Sequence, residues 1–209
     1  MIAARMERYD PWATFVWTLR ATWHEIVPII AVSVAWGLSA IPFLVGVASG
    51  EGWLAGLAAL PLLIATTALF GTLAEVATGG AVRQPGSDRA APGLGAAAWA
   101  WALVVAALIG LGPYGVLAGS ALGAIGVLVL PLAFAYGAIR RRRGLAALRA
   151  GSIIAMLRPG LALTLASVLC LAAFACIASG GTLLVLAPGF IALLACRAVV
   201  VLLGSDDAA

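Results

Sequence analysis

Two ionisable side chains, Glu75 and Arg197, stand inside long apolar runs of the sequence. A charge in such a setting is costly and often belongs to an ion path, a proton relay or an ion pair. Glu75 lies about four residues before the end of its run, and Arg197 about six. If both runs end on the same side, the depths of the two residues agree within a few Å at ~1.5 Å per residue. The sequence therefore predicts an ion pair between them, or else two side chains that extend separately to polar surroundings at the ends of the runs.

The other residues that could do chemistry are sparse. His24 is the single histidine and has Glu25 beside it, an arrangement more typical of a solvated pair than of an acid–base catalyst. The cysteines stand in apolar runs without a Cys-x-x-Cys spacing, so we expect small buried side chains rather than a disulfide or a metal site; they are Cys170, Cys176 and Cys196. No carboxylate or histidine stands near the middle of an apolar run. We therefore expect no enzymatic activity, no metal and no cofactor.

The composition predicts the setting of these residues. Hydrophobic residues make up 64% of the 209 residues and charged residues only 10%, whereas soluble domains carry about a quarter charged residues. Such a chain has too little polar surface to cover a water-soluble globule, and it is long enough for several spans of about 20 residues each. We predict an all-α fold, a polytopic transmembrane helical bundle.

Six apolar runs are long enough to cross ~30 Å of hydrocarbon. In chain order the predicted spans are about 26–48, 53–78, 94–111, 114–139, 160–178 and 182–203. The chain then divides into an N-terminal surface helix (1–25), the bundle (26–203) and a cytoplasmic tail (204–209). Several prolines fall within spans, where each is expected to kink its helix: Pro42, Pro61, Pro131 and Pro188.

The basic residues predict the orientation in the membrane. All twelve are arginines, and eleven of them stand on one side of a six-span topology. The densest group follows the fourth span: Arg140, Arg141, Arg142 and Arg143. The positive-inside rule assigns this side to the cytoplasm, so we expect both termini there, with the four arginines setting the orientation and contacting anionic lipid headgroups. A cytoplasmic protein partner stays open, but we expect no nucleic acid, which would need basic and aromatic residues interleaved in a soluble domain.

The segment before the first span predicts an amphipathic helix. Asp10 is a suitable N-cap, and Pro11 suits the first turn. Large apolar side chains then recur at helical spacing along one narrow stripe: Trp12, Phe15, Val16, Leu19 and Trp23. We expect this stripe either to lie in the headgroup layer, with its tryptophans at the interface, or to dock on the bundle or on a partner subunit.

The fourth predicted span carries glycines four residues apart, on one helix face: Gly115, Gly119 and Gly123. Small residues at this spacing allow a second helix backbone to approach closely. The pattern predicts a tight helix contact, inside the bundle by default, and it leaves a homo-oligomer open.

Two stretches carry a family resemblance: "LAALRAGSIIAMLRPGLAL" (145–163) and "LLVLAPGFIALLACRAVV" (183–200). Together with the tryptophan-bearing N-terminal helix, they resemble the YesL-like family of small bacterial membrane proteins. The resemblance implies a location in the bacterial plasma membrane and an accessory role in carbohydrate uptake beside the subunits of an ABC importer. It implies no catalytic residues. A stand-alone small-solute transporter or channel is the alternative.

Overall fold

The computed structural model describes residues 10–50, 52–80, 92–142 and 144–204. Within these ranges the chain is helical and forms no strand, which confirms the expected all-α fold for the described part. The helices, in chain order, are α1 (Pro11–His24), α2 (Ile26–Ala48), α3 (Gly52–Ala77), α4 (Pro92–Ile109), α5 (Pro113–Arg140), α6 (Gly144–Leu157), α7 (Pro159–Ala178) and α8 (Ala187–Leu203), with a 3₁₀ turn (Thr182–Val185) before α8.

Four helices are long and apolar enough to cross a membrane: α2, α3, α5 and α7. The longest is α5, whose 28 residues extend over ~42 Å at ~1.5 Å per residue. The 18 residues of α4 and the 17 of α8 form shorter apolar helices of ~27 Å and ~26 Å. The chain thus has the helices of a multi-pass membrane protein, and α4 and α8 coincide with the remaining two predicted spans.

The central helix of the bundle is α8. Nine of its 17 residues are buried, and it contacts α1, α2, α3, α5 and α7. Its amino-terminal end is tied to α2, because the backbone N–H of Gly189 donates a hydrogen bond to Ser33 Oγ at 3.1 Å. A helix that is apolar on most sides is expected in such a buried place. The shared core includes Leu69, Leu73, Leu132, Leu193 and Val199.

The predicted basic connection after the fourth span forms α6, which packs along the last turns of α5. A Cβ on Gly151 would lie only 2.7 Å from the Cβ of Ala133. Ala147 is also buried, and its Cβ lies 3.2 Å from the Cβ position of Gly137. The inner face of α6 thus combines small residues at the closest approach to α5 with the half-buried Leu148, Ile154 and Ala155, which pack against the core. The outward side of α6 is exposed and carries Leu145, Arg149, Ile153 and Met156.

Two expectations are wrong at the beginning of α8. The sixth predicted span starts at about Thr182, but the structure has the 3₁₀ turn there, and the helix begins at Ala187. Pro188 therefore lies in the first turn of α8 rather than inside a span. A first-turn residue has no helical acceptor for its N–H, so this proline imposes no kink. The other three predicted kink positions do lie inside helices: Pro42 in α2, Pro61 in α3 and Pro131 in α5.

Candidate functional site

Arg197 is half-buried on α8 and contacts two other helices. Its Nη1 donates a hydrogen bond to the carbonyl oxygen of Ala77, at the end of α3, at 3.2 Å. The guanidinium carbon lies 4.2 Å from the ring centroid of Trp17 on α1, which is within the range of a cation–π contact. One arginine therefore links α1, α3 and α8.

Glu75, the predicted partner of Arg197, is half-buried on the last turn of α3, two residues before Ala77. The structure thus brings Arg197 to the helix turn that carries Glu75, while the direct ion pair stays a prediction. The contact with Trp17 is not evident from the sequence pattern, because Trp17 stands outside the predicted stripe of α1.

The bundle-facing side of α1 includes two fully buried threonines beside the half-buried Trp17. Thr14 and Thr18 are buried, and their hydroxyls donate to the backbone carbonyls of Asp10 at 2.9 Å and of Thr14 at 2.8 Å. These hydrogen bonds within the helix satisfy the hydroxyls, so the polar face can be buried. The N-cap prediction is confirmed, because the Asp10 side chain accepts a hydrogen bond from the N–H of Trp12 at 2.9 Å.

The predicted stripe of α1 is divided between the bundle and the surroundings. Phe15 and Val16 are half-buried, and the Phe15 ring meets Phe190 of α8 edge to face, with 5.7 Å between centroids. The rest of the stripe therefore presents two tryptophans away from the bundle. Its exposed members are Trp12 at 71%, Leu19 at 55% and Trp23 at 76%.

The three glycines of α5 face α4 of the same chain. Gly115 and Gly119 are buried. A Cβ on Gly119 would lie 2.7 Å from Ile109 Cγ1, whereas a Cβ on Gly123 would lie at an ordinary 3.7 Å from Val105 Cγ1. Close approach of the two helices thus depends most on the first two glycines.

The predicted orienting arginines begin at the end of α5. Arg140 is the last helical residue, and Arg141 follows in the left-handed region with φ of 51°. The N–H of Arg142 donates to the carbonyl of Gly137 at 3.1 Å, which closes the helix end. Arg143 lies outside the described residues. The role of the four arginines in orientation stays a prediction.

The other candidates for chemistry are dispersed. His24 is exposed at the end of α1. Cys196 is buried, and its thiol donates to the carbonyl of Phe70 at 3.8 Å, but Cys170 is exposed, so the expectation of a buried side chain is wrong there. Across residues 10–50, 52–80, 92–142 and 144–204, no three His, Cys, Asp or Glu side chains gather as metal ligands would.

A cavity of about 750 Å³ lies between the helices and is lined by apolar side chains almost throughout. Its volume is in the range of small-molecule sites in proteins. The lining residues come from α2, α3, α4, α5, α7 and α8, so no single stretch of sequence reveals it. They include Trp36, Thr66, Trp101, Pro131 and Ala173.

The few polar side-chain atoms near the cavity are hydrogen-bonded to other protein atoms or buried against them. Trp36 Nε1 donates to Thr66 Oγ1 at 2.9 Å, and that hydroxyl donates in turn to the carbonyl of Leu62 at 2.9 Å. Trp101 Nε1 is buried against Gly126, where a Cβ would lie 3.0 Å from it, and has no hydrogen-bond partner among the described residues. The cavity wall therefore presents mainly hydrocarbon.

Comparisons of the chain with models of protein families, with curated proteins and with solved structures return no match. The resemblance to the YesL-like family rests on the sequence motifs alone.

Proposed function

We propose that this chain is a non-enzymatic, six-span protein of the bacterial plasma membrane, with both termini in the cytoplasm, and an accessory component of a carbohydrate (ABC-type) uptake system. The apolar lining of the cavity supports the accessory role most. A sugar entering it would lose hydrogen bonds to water without gaining others, at ~1–3 kcal/mol for each polar group. The sugar path would then lie in partner subunits.

Helix lengths and arginine positions support six spans. The 18 and 17 residues of α4 and α8 fall within or at the edge of the usual range of spanning helices. If α4 and α8 are counted as spans, the arginines of the connectors all lie on one side of the membrane. The positive-inside rule favours the cytoplasm for that side.

The exposed part of the α1 stripe supports contact with a partner or with the headgroup layer. Tryptophan is enriched both in the cores of protein interfaces and at membrane interfaces. Trp12 and Trp23 are exposed on a helix that is itself anchored to α8. A rigidly held aromatic surface of this kind is suited to recognition.

Affinity purification from the native host in mild detergent tests the accessory role. We expect the permease and ATPase subunits of a carbohydrate importer to co-purify, identified by mass spectrometry. The double variant Trp12→Ser, Trp23→Ser should lose them, while Leu145→Ser, an exposed apolar position on α6, should retain them. An absence of importer subunits above the level of an unrelated tagged membrane protein would contradict the proposal.

One observation favours the alternative, a stand-alone small-solute transporter or channel. Pro131 lies inside α5 and lines the cavity, and helices interrupted by proline can line a path through a membrane. The purified chain in liposomes distinguishes the two functions. Uptake of a radiolabelled sugar by the chain alone would contradict the accessory role and support the transporter.

A further inference from the structure

We propose that the cavity binds one acyl chain of a membrane lipid, which enters between α4 and α7. This inference rests on the membrane placement in the proposed function and not on the role in carbohydrate uptake. Lining residues on both of these helices are exposed, and the two helices have no extended contact with each other, so we place the mouth between them. Val127 of α5 is exposed and lines the cavity as well. These mouth residues are Ala102 and Ala106 on α4, and Ala173 and Ile177 on α7.

The shape of the cavity follows from the course of α7. Near its beginning α7 is held in the bundle by three buried residues, Leu161, Ala162 and Leu165. No residue of α7 after Leu165 is buried, and Leu171, Phe174 and Ile177 are exposed. Along its second half α7 has only half-buried and exposed residues, and its inner side lines the cavity through Leu169, Ala172 and Cys176.

The chemistry of the wall selects a hydrocarbon occupant. Trp36 and Thr66 satisfy their polar groups within the protein, and Trp101 Nε1 is buried against Gly126 rather than exposed. A ligand rich in hydrogen-bonding groups would find almost no partner here, whereas an acyl chain needs none. Unless an apolar group fills the space of about 750 Å³, the atoms of its wall lose contact partners on that side. In a bilayer the groups next to a lateral mouth are lipid acyl chains.

Photolabelling in vesicles tests this site. The protein is reconstituted in phosphatidylcholine that includes a fraction with a photoreactive diazirine on one acyl chain, and labelled residues are identified by mass spectrometry after illumination. We expect adducts at the inner wall of the cavity, on the buried residues Phe70 and Phe134. Adducts are also expected at the outward-facing Leu171 and Phe174.

Variants at the mouth separate entry into the cavity from general contact with lipid. Ala173→Phe and Ala102→Phe narrow the mouth from opposite sides and should each abolish the inner-wall adducts while leaving those at Leu171. Ala178→Phe and Ala100→Phe add the same side chain at exposed positions of the same helices that do not line the cavity. These two controls should retain the inner-wall adducts.

The outcomes distinguish this inference from the proposed function. Labelling of Leu171 and Phe174 without any adduct at Phe70 or Phe134 would overturn the acyl-chain site and leave the membrane placement standing. Inner-wall adducts that persist in both mouth variants would overturn entry between α4 and α7. The two mouth variants lie on separate helices, so a folding defect in one, detected by its melting temperature, leaves the other to decide. An absence of label at all four residues would refute the membrane placement itself.

Discussion

Arg197 is accommodated in an apolar bundle by the end of a neighbouring helix and an aromatic ring. The last four carbonyl groups of a helix have no donor within the helix and carry the negative end of its dipole. Ala77 is the final residue of α3, and its carbonyl accepts from Arg197 at 3.2 Å. The face of Trp17 covers the guanidinium at 4.2 Å. The carbonyl end of α3 and the guanidinium of Arg197 thus stabilise each other.

Removal of the Trp17 ring should weaken this arrangement. Trp17→Leu eliminates the cation–π contact and part of the packing, so we expect a loss of about 1–2 kcal/mol and a melting temperature lower by ~2–8 °C. The matched control is Trp23→Leu, because Trp23 is on the same helix but 76% exposed; its effect should stay within ~0.5 kcal/mol. Both melting temperatures are measured in the same detergent. Equal losses for the two variants would argue against a special role for Trp17.

The predicted ion pair of Glu75 and Arg197 is tested by a double-mutant cycle. If the two side chains pair, Glu75→Gln and Arg197→Gln should each lower the melting temperature, because each variant leaves the other half-buried charge without its partner. If the side chains interact, the double variant should lose less than the sum of the two single losses, by ~0.5 kcal/mol or more. Strict additivity would instead favour separate extension of the two side chains to the membrane surface.

The depth of charged residues could be predicted from the sequence, and their partners could not. Counting residues from the span ends brings Arg197 to the turn of α3 that carries Glu75, and the structure has Arg197 at Ala77 on that turn. A backbone carbonyl leaves no trace in the side-chain pattern, so the sequence does not reveal its role as acceptor. The same holds for Trp17, whose neighbours are decided by the packing of α1 on α8.

At the scale of elements, α1 illustrates what periodicity predicts. The cap and the helix follow from local sequence, because Asp10 and Pro11 act within one turn. The docked face depends on the surface opposite. Thr14 and Thr18 are buried and hydrogen-bond within their own helix, whereas Trp12 and Trp23 are exposed. Hydrophobicity alone would dock the stripe with Trp12 and Trp23 on the bundle and leave the face with Thr14 and Thr18 exposed.

The beginning of α8 was mispredicted for a different reason. Gly180 and Gly181 both have positive φ, 62° and 89°, and turn the chain. The residues that follow, including Leu183 and Leu184, are apolar and so extend the hydropathic run, although they form a 3₁₀ turn. A hydropathy pattern reports composition along the chain, and a change of helix type within an apolar run does not alter it.

The close contact of α4 and α5 should be sensitive to a single methyl group. Gly119→Ala places a Cβ 2.7 Å from Ile109 Cγ1, so we expect overpacking that costs about 1–3 kcal/mol and lowers the melting temperature by several degrees. Gly37→Ala is the control, because a Cβ at this helical position has nothing within 4 Å. It should leave the melting temperature unchanged or raise it. A neutral Gly119→Ala variant would contradict the tight contact.

At the scale of the whole molecule, composition predicts the class of protein, whereas the arrangement of the helices decides which residues meet. An apolar content of 64% is sufficient to predict a helical membrane bundle. The cavity could not be predicted, because Trp36, Trp101 and Ala173 are far apart in the chain and meet only when the helices are assembled. The packing of α6 on α5 is not predictable from the sequence either, because the close approach of Gly151 depends on Ala133 in the opposite helix.

The orientation of the bundle is testable with single cysteines in a background without Cys170, Cys176 and Cys196. Tyr114, at the start of α5, and Leu145, at the start of α6, are 88% and 79% exposed, so reagent access is comparable at both. One-sided arginine predicts Tyr114 outside and Leu145 in the cytoplasm. An impermeant thiol reagent should therefore label Tyr114→Cys in intact cells, and Leu145→Cys only after permeabilisation. Labelling of Leu145→Cys in intact cells would place the arginine-rich connectors outside and reverse the predicted topology.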